Sequence, residues 1–158
     1  MGIDRDKEKA ILKSYQGNYP KLGERGKILM SLTDNTKELI LPYLKSLSKI
    51  GFTFVATSGT CDYIKKQGLP CDLVKRIDEG GVTILDALKD EKMKMVFNTP
   101  KNQGQSQNDG EHIRNSAIQY AIPCFTRPEN IRAVAEALIG THDSEITPLA
   151  LQEMNPWA

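Results

Sequence analysis

A chain of 158 residues, 39% hydrophobic and 26% charged, is long enough to bury one core without disulfides or metal. Its 21 basic and 20 acidic residues interleave to a net charge of +1, which argues against the one-sided basic face of a nucleic-acid binder. No apolar run approaches the roughly 20 residues that span a bilayer, the N-terminus is polar, and Cys61, Cys71 and Cys124 form no C-x-x-C pair, so the chain reads as one cytoplasmic domain with reduced thiols and no membrane partner.

In chain order, residues 1–25 carry a weak amphipathic helix around Ala10, Ile11 and Leu12 and read as a linker or leader. Lys27 to Leu32 (KILMSL) predicts a buried strand. After Thr33-Asp34-Asn35, the apolar positions Leu39, Ile40, Leu44, Leu47 and Ile50 recur at helical spacing, and Gly51 closes that helix. Phe52 to Thr57 (FTFVAT) is a second strand, followed by a helix from about Ser58 to Gln67-Gly68, with Pro70 barring continuation. Leu73 to Ile77 predicts a short third strand, and Val82, Ile84, Leu85 and Leu88 a short helix. Met93 to Asn98 predicts a fourth strand. Thr99 to Gly110, rich in Gln and Asn, reads as a long loop, with a helix starting near Asp109 and running through Ile113, Ala117, Ile118 and Ala121. A strand from Pro123 to Thr126 and a helix from Pro128 to Ile139, capped by Gly140, complete a unit over residues 26–140. Residues 141–158 read as an irregular tail.

Five strands alternating with five helices predict an α/β fold, a three-layer, doubly wound domain with a five-stranded parallel sheet of the Rossmann or flavodoxin kind. Ligands in such folds sit at the carboxyl ends of the strands. The polar segments Thr33 to Lys37, Thr57 to Thr60, Lys75-Arg76 and Asn98-Thr99 all fall there.

The turn Val55-Ala56-Thr57-Ser58-Gly59-Thr60 is the most telling of these segments. A helix's first N–H groups lack partners and its macrodipole favours negative charge, so hydroxyls and a glycine at that point suit an anion. The same residues also suit plain N-capping, which read alone is the commoner use. Lys37 stands in a first helical turn, where a cation is slightly unfavourable unless an anion offsets it. Lys75-Arg76 reads equally as a solvated pair or as a bidentate phosphate contact. Asp109 suits both a helix N-cap and an acceptor for a ribose hydroxyl. His112 and His142 have no neighbours at metal-ligand spacing. The phosphate-loop, dinucleotide-binding and nucleophile-elbow motifs are absent from the sequence.

The succession G-K-I-L-M-S-L (Gly26 to Leu32), Lys37, G-F-T-F-V-A-T-S-G-T (Gly51 to Thr60), L-V-K-R-I (Leu73 to Ile77), F-N-T (Phe97 to Thr99) and I-R-N-S-A (Ile113 to Ala117) resembles the methylglyoxal-synthase-like domain family. Within it, the match is nearest to the C-terminal allosteric domain of the carbamoyl phosphate synthetase large subunit. The resemblance covers roughly Lys27 to Gly140, and the leader Met1 to Ser14 is similar to the segment that joins that domain to the preceding synthetase half, which suggests a piece of a longer chain.

The resemblance implies an effector site for UMP, IMP or a related anion such as N-acetylglutamate, formed by Ser31, Lys37, Thr57, Ser58, Gly59, Thr60, Arg76, Asn98, Thr99 and Asp109. It implies no cofactor in this domain; ATP and a divalent metal belong to the parent synthetase, which makes carbamoyl phosphate for pyrimidine and arginine biosynthesis. The implied partners are the rest of the large chain and its glutaminase small subunit, and a homo-oligomer is left open. Methylglyoxal synthase itself uses an aspartate in a G-P-x-G-G-D segment; the corresponding Asp78-Glu79-Gly80-Gly81-Val82 ends in a valine, which cannot carry a proton. The resemblance therefore implies a regulatory, non-catalytic module, with a stand-alone phospho-sugar lyase or a non-binding interaction domain as alternatives. Arg76 in place of the family's usual lysine preserves anion binding, whereas Pro100 and the long Gln/Asn loop depart from the bacterial nucleotide binders.

Overall fold

A computed structural model describes residues 1–100 and 106–154. The sheet-forming strands are β1 (Lys27–Ser31), β2 (Thr53–Ala56), β3 (Asp72–Leu73), β4 (Met93–Asn98) and β5 (Cys124–Phe125). They pair in parallel in the order β3-β2-β1-β4-β5. The helices are α1 (Lys7–Gln16), α2 (Asp34–Lys49), α3 (Ser58–Lys66), α4 (Ile84–Ala87), α5 (Ser106–Gln119) and α6 (Pro128–Gly140). The doubly wound parallel α/β fold predicted from the alternation is the one observed. The chain winds outward from β1 to β3, then crosses back to place β4 on β1's other side, so the strand order reverses between β1 and β4.

Alternation along each strand divides the core between the two sheet faces. On one face Ile28, Met30, Phe54, Met95 and Phe97 meet Ile40, Leu44 and Leu47 of α2, Ile64 of α3 and Ile131, Val134 and Leu138 of α6. On the other, Leu29, Val55 and Val96 meet Ile84 of α4 and Ile113 and Ala117 of α5. Among the described residues, no helix is long and apolar enough to cross a membrane. All three cysteines are free. Burial pushes the Cys71 thiol up and that of Cys124 up to about 11, which keeps both protonated near neutrality.

Several elements depart from the sequence expectations. The helix expected around Ala10 to Leu12 is present as α1, ten residues capped by the Asp6 carboxylate, but it is not a mere linker. It packs on α6 and buries Leu12 in the main core, with Leu22 beside it. Gly140 is the last residue of α6 rather than a left-handed cap; a Cβ there would come within 3.0 Å of the Glu8 side chain, so the glycine admits α1. Thr141 closes α6, its hydroxyl donating to the Ala137 carbonyl at 2.6 Å. The third strand spans Asp72–Leu73 alone, because at Arg76 the chain enters a 3-10 turn, Ile77–Glu79. Helix α5 begins at Ser106, which places Asp109 in its first turn and removes it from the N-cap position.

Helix α5 also stops earlier than predicted. Its end has the two backbone bonds of a Schellman motif, Ile122 N–H to Ala117 carbonyl at 2.8 Å and Ala121 N–H to Ile118 carbonyl at 3.0 Å. The left-handed position is filled by Ala121, at φ 52°. An L side chain costs about 1–2 kcal/mol there, partly offset by the lower chain entropy of alanine when unfolded. Ala121→Gly is expected to raise stability by about 0.5–1 kcal/mol, read as a higher denaturation midpoint in urea at unchanged slope. Thr60→Val has the opposite sign: it strips the acceptor from the buried Leu32 N–H, whose bond to Thr60 Oγ1 measures 3.1 Å. The expected loss is about 1–3 kcal/mol in the same measurement.

Candidate functional site

The carboxyl ends of β1, β2 and β4 open onto a cavity of about 270 Å³, placed where the strand order reverses. Its lining comprises Ser31, Lys37, Thr57, Ser58, Gly59, Thr60, Arg76, Asn98 and Thr99, joined by Leu32 and Glu79. Nine of the ten residues singled out in the sequence are thus brought together. The tenth, Asp109, lies in the first turn of α5 with its side chain outside the described residues. Leu32 and Glu79 are the lining residues that sequence reasoning missed; a carboxylate is not sought among anion contacts, and the only sequence signal for Glu79 was its position three residues after Arg76.

The helix α3 shows how the site is built. Thr57 stands at its N-cap in extended conformation, φ −65° and ψ 157°, and its side chain makes no capping hydrogen bond. The Thr57 hydroxyl therefore does not cap α3. The Thr60 hydroxyl is turned instead to the strand, accepting the Leu32 N–H. A hydroxyl that accepts in this way still has its proton to donate. Thr99 does the same on the opposite side, accepting the Thr33 N–H at 2.9 Å. The Thr33 hydroxyl lies 2.9 Å from that of Thr36 and 3.3 Å from that of Thr99. The Asn98 amide donates to the Gly110 carbonyl at 3.2 Å and so ties the end of β4 to α5.

Lys37 is the buried cation of the site. Its side chain is only 9% exposed and its Nζ donates to Asp34 Oδ1 at 2.7 Å, while Asp34 itself is 87% exposed. The ammonium lies 3.9 Å from the position of a Cβ on Gly59, so it sits between the amino ends of α2 and α3. A cation held there opposes two macrodipoles, and an anion in the cavity would relieve both. Arg76 approaches from the turn after β3. Its neighbour Lys75 is drawn away by a bridge to Thr83, with Lys75 N–H donating to the Val82 carbonyl at 3.1 Å. Gly80 and Gly81, at φ 65° and 89°, carry Val82 out of the lining, and the residue is 68% exposed.

Volume alone would point elsewhere. A cavity of about 440 Å³ lies at the amino ends of the strands, around Tyr19, Leu22, Met93, Tyr120 and Ile122, but no first-turn helix residue is on its described lining. Among the described residues, no cluster of three or more His, Cys, Asp or Glu side chains could hold a metal ion. The arrangement at the smaller cavity, two cations and a ring of hydroxyl and backbone donors, is chemically suited to a phosphate or similar anion.

Residues 39–126 match the family model for the MGS-like domain. That segment includes Thr57 to Thr60, Arg76, Asn98 and Thr99, with Ser31 and Lys37 ahead of it. The chain is also similar to proteins named carbamoyl phosphate synthase large chain. One from Clostridium botulinum (strain Eklund 17B / Type B) is 34% identical over 145 residues, covering 90% of this chain and 14% of that protein. One from Methanoculleus marisnigri is 33% identical over 147 residues, or 93% of this chain and 14% of the relative. One from Synechocystis is 34% identical over 154 residues, or 97% and 14%. The chain therefore spans about one-seventh of the length of these relatives. A family match across more than half of its length, on a fold and a strand-end cavity of the kind described, shows that the chain belongs to the MGS-like domain family.

Proposed function

We propose that the strand-end cavity is an effector site for a phosphorylated metabolite of the nucleoside monophosphate class, UMP or IMP, and that the chain is the allosteric regulatory domain of a carbamoyl phosphate synthetase large chain. The observation that carries this reading is the convergence of Lys37, Arg76 and the hydroxyls of Ser31, Thr57, Ser58, Thr60 and Thr99 on one cavity at the amino end of α3. The relatives' name, carbamoyl phosphate synthase large chain, supports that parent enzyme. On this reading the parent is a cytoplasmic ligase whose other domains, with ATP and a divalent metal, make carbamoyl phosphate for pyrimidine and arginine biosynthesis. On this reading the partners are those domains and the glutaminase small subunit. The regulatory unit centres on residues 26–140, with α1 docked on α6 and residues 141–158 as its tail.

The site is proposed to hold its ligand without turning it over. Val82 occupies the place of the lyase aspartate in the sequence, and its side chain is not on the lining. Among the described residues Glu79 is the one carboxylate on the lining, and its Oε2 is engaged by the Arg76 backbone N–H at 3.0 Å. The anion is bound by Lys37 and Arg76, by hydroxyl protons and by the first-turn N–H groups of α3. The coupling to an attached enzyme is then a free-energy difference between two of its states, of order 1–3 kcal/mol for allosteric effectors in general.

Calorimetry with UMP tests the assignment. Wild type is expected to bind, and Lys37→Ala to bind about 10- to 100-fold more weakly, the loss of a charge-assisted contact worth about 1.5–3 kcal/mol. Lys37→Met serves as a companion that keeps the side chain's apolar stem. Equal UMP affinity in wild type and both folded variants would remove Lys37 from the site. Formation of methylglyoxal from dihydroxyacetone phosphate above background would favour the lyase alternative instead.

A further inference from the structure

Glu79 is an anomaly in a cavity otherwise furnished for an anion. Its backbone N–H donates to the Arg76 carbonyl at 3.2 Å, while its own Oε2 accepts from the Arg76 backbone N–H at 3.0 Å. This reciprocal pair closes the 3-10 turn Ile77–Glu79 and fixes the carboxylate beside the cavity that Arg76 also lines. The chain turns away immediately afterwards at Gly80 and Gly81, whose φ angles of 65° and 89° suit glycine. The carboxylate is therefore held by its own turn rather than trailing on a loose loop.

Among the described residues, the charges in and around the cavity are closely matched. Lys37, Arg76 and Glu79 all line it, Glu79 from the same turn as Arg76, and Asp34, outside it, takes up part of the Lys37 charge. The amino ends of α2 and α3 add roughly half a positive charge each. This supply suits the one or two negative charges of a phosphomonoester. A di- or triphosphate brings further anionic groups to a cavity of about 270 Å³ that already contains a fixed carboxylate.

We infer that Glu79 sets the ligand class of the site, admitting a phosphomonoester and disfavouring di- and triphosphates by charge repulsion. This rests on the effector-site reading above and adds to it a discriminating residue that makes no contact favourable to phosphate. At separations of a few Å across a partly exposed cavity, each additional like-charge pairing weakens binding by about tenfold, less at high salt.

The experiment compares UMP and UTP by calorimetry, without divalent metal and at low salt, on wild type, Glu79→Gln and Glu79→Ala. Glutamine keeps an oxygen that can accept the Arg76 N–H, so Glu79→Gln separates charge from turn geometry; thermal melting establishes that each variant is folded. Wild type is expected to prefer UMP by at least about tenfold, and Glu79→Gln to narrow that preference about tenfold, mainly by binding UTP more tightly. Raising the salt concentration should shrink the wild-type preference more than that of Glu79→Gln. UMP binding with an unchanged UMP-to-UTP ratio in Glu79→Gln overturns the role given to Glu79 and leaves the effector site standing. Loss of UMP affinity in Glu79→Gln with the ratio unchanged assigns the residue to turn structure alone and likewise overturns the inference. Absence of UMP binding in the folded wild type overturns the effector site and this inference together.

Discussion

Two backbone N–H groups just past the end of β1 organise this domain. The pairing of β1 with β2 ends at Met30 and that with β4 at Ser31, so Leu32 and Thr33 leave the sheet where the strand order reverses. Leu32 is buried, and an N–H without a partner there would cost about 1–3 kcal/mol. The fold meets this by bringing one threonine from each side: Thr60 from the first turn of α3 and Thr99 from just after β4. These two bonds position the amino end of α3 and the exit of β4 against the amino end of α2, and thereby shape the cavity. Its framework is in this sense a by-product of satisfying the end of a parallel strand.

That framework also sets the chemistry. Thr60 and Thr99 use oxygen lone pairs on the backbone, which leaves their protons as the groups to offer; Lys37 contributes an ammonium and α3 its first-turn N–H groups. Apart from Thr141, the buried polar residues among those described are Thr36, Lys37, Thr60, Asn98 and Thr99, all at this one end of the sheet. Concentrating buried polarity in one place is costly unless each group is partnered, and among the described residues every buried side-chain nitrogen and oxygen is. The result is a rigid set of donors fixed before any ligand arrives, which lowers the ordering cost of binding.

Much of this was legible because the signals were local or followed from topology. Gly51 and Gly68, at φ 100° and 78°, close α2 and α3 with paired Schellman bonds as their sequence positions imply. The parallel winding alone placed Ser31, Thr57 to Thr60, Arg76 and Asn98-Thr99 at one edge. What escaped depended on tertiary contact or on residue types with no matching signal. Alanine at 121 does not announce a left-handed conformation. Gly140 looks like a cap until Glu8 is seen packed against it. The helical pattern of α1 is weak because it buries one residue fully, Leu12, and covers the core with partly exposed Ile11 and Tyr15. The third strand was overread because the apolar pattern of Leu73 to Ile77 continues past the point where Lys75 leaves to pair with Thr83.

The cavity also joins the two helical layers of the domain, and this bears on how occupancy could be felt at a distance. Lys37 belongs to α2, which packs on α6, which in turn packs on α1. Arg76 and Glu79 come from the turn leading to α4, which packs with α5 on the opposite face. An anion that drew Lys37 and Arg76 together would act on both layers through the carboxyl edge of the sheet. Such contacts shift an equilibrium only to the extent that they differ between its states. The sheet itself, paired strand to strand and packed on both faces, is poorly able to deform. Arg76 instead follows a two-residue edge strand and is held through its turn and the Lys75–Thr83 bridge, whereas Lys37 is buried and tied to Asp34, so the two cations reach the anion from differently anchored elements.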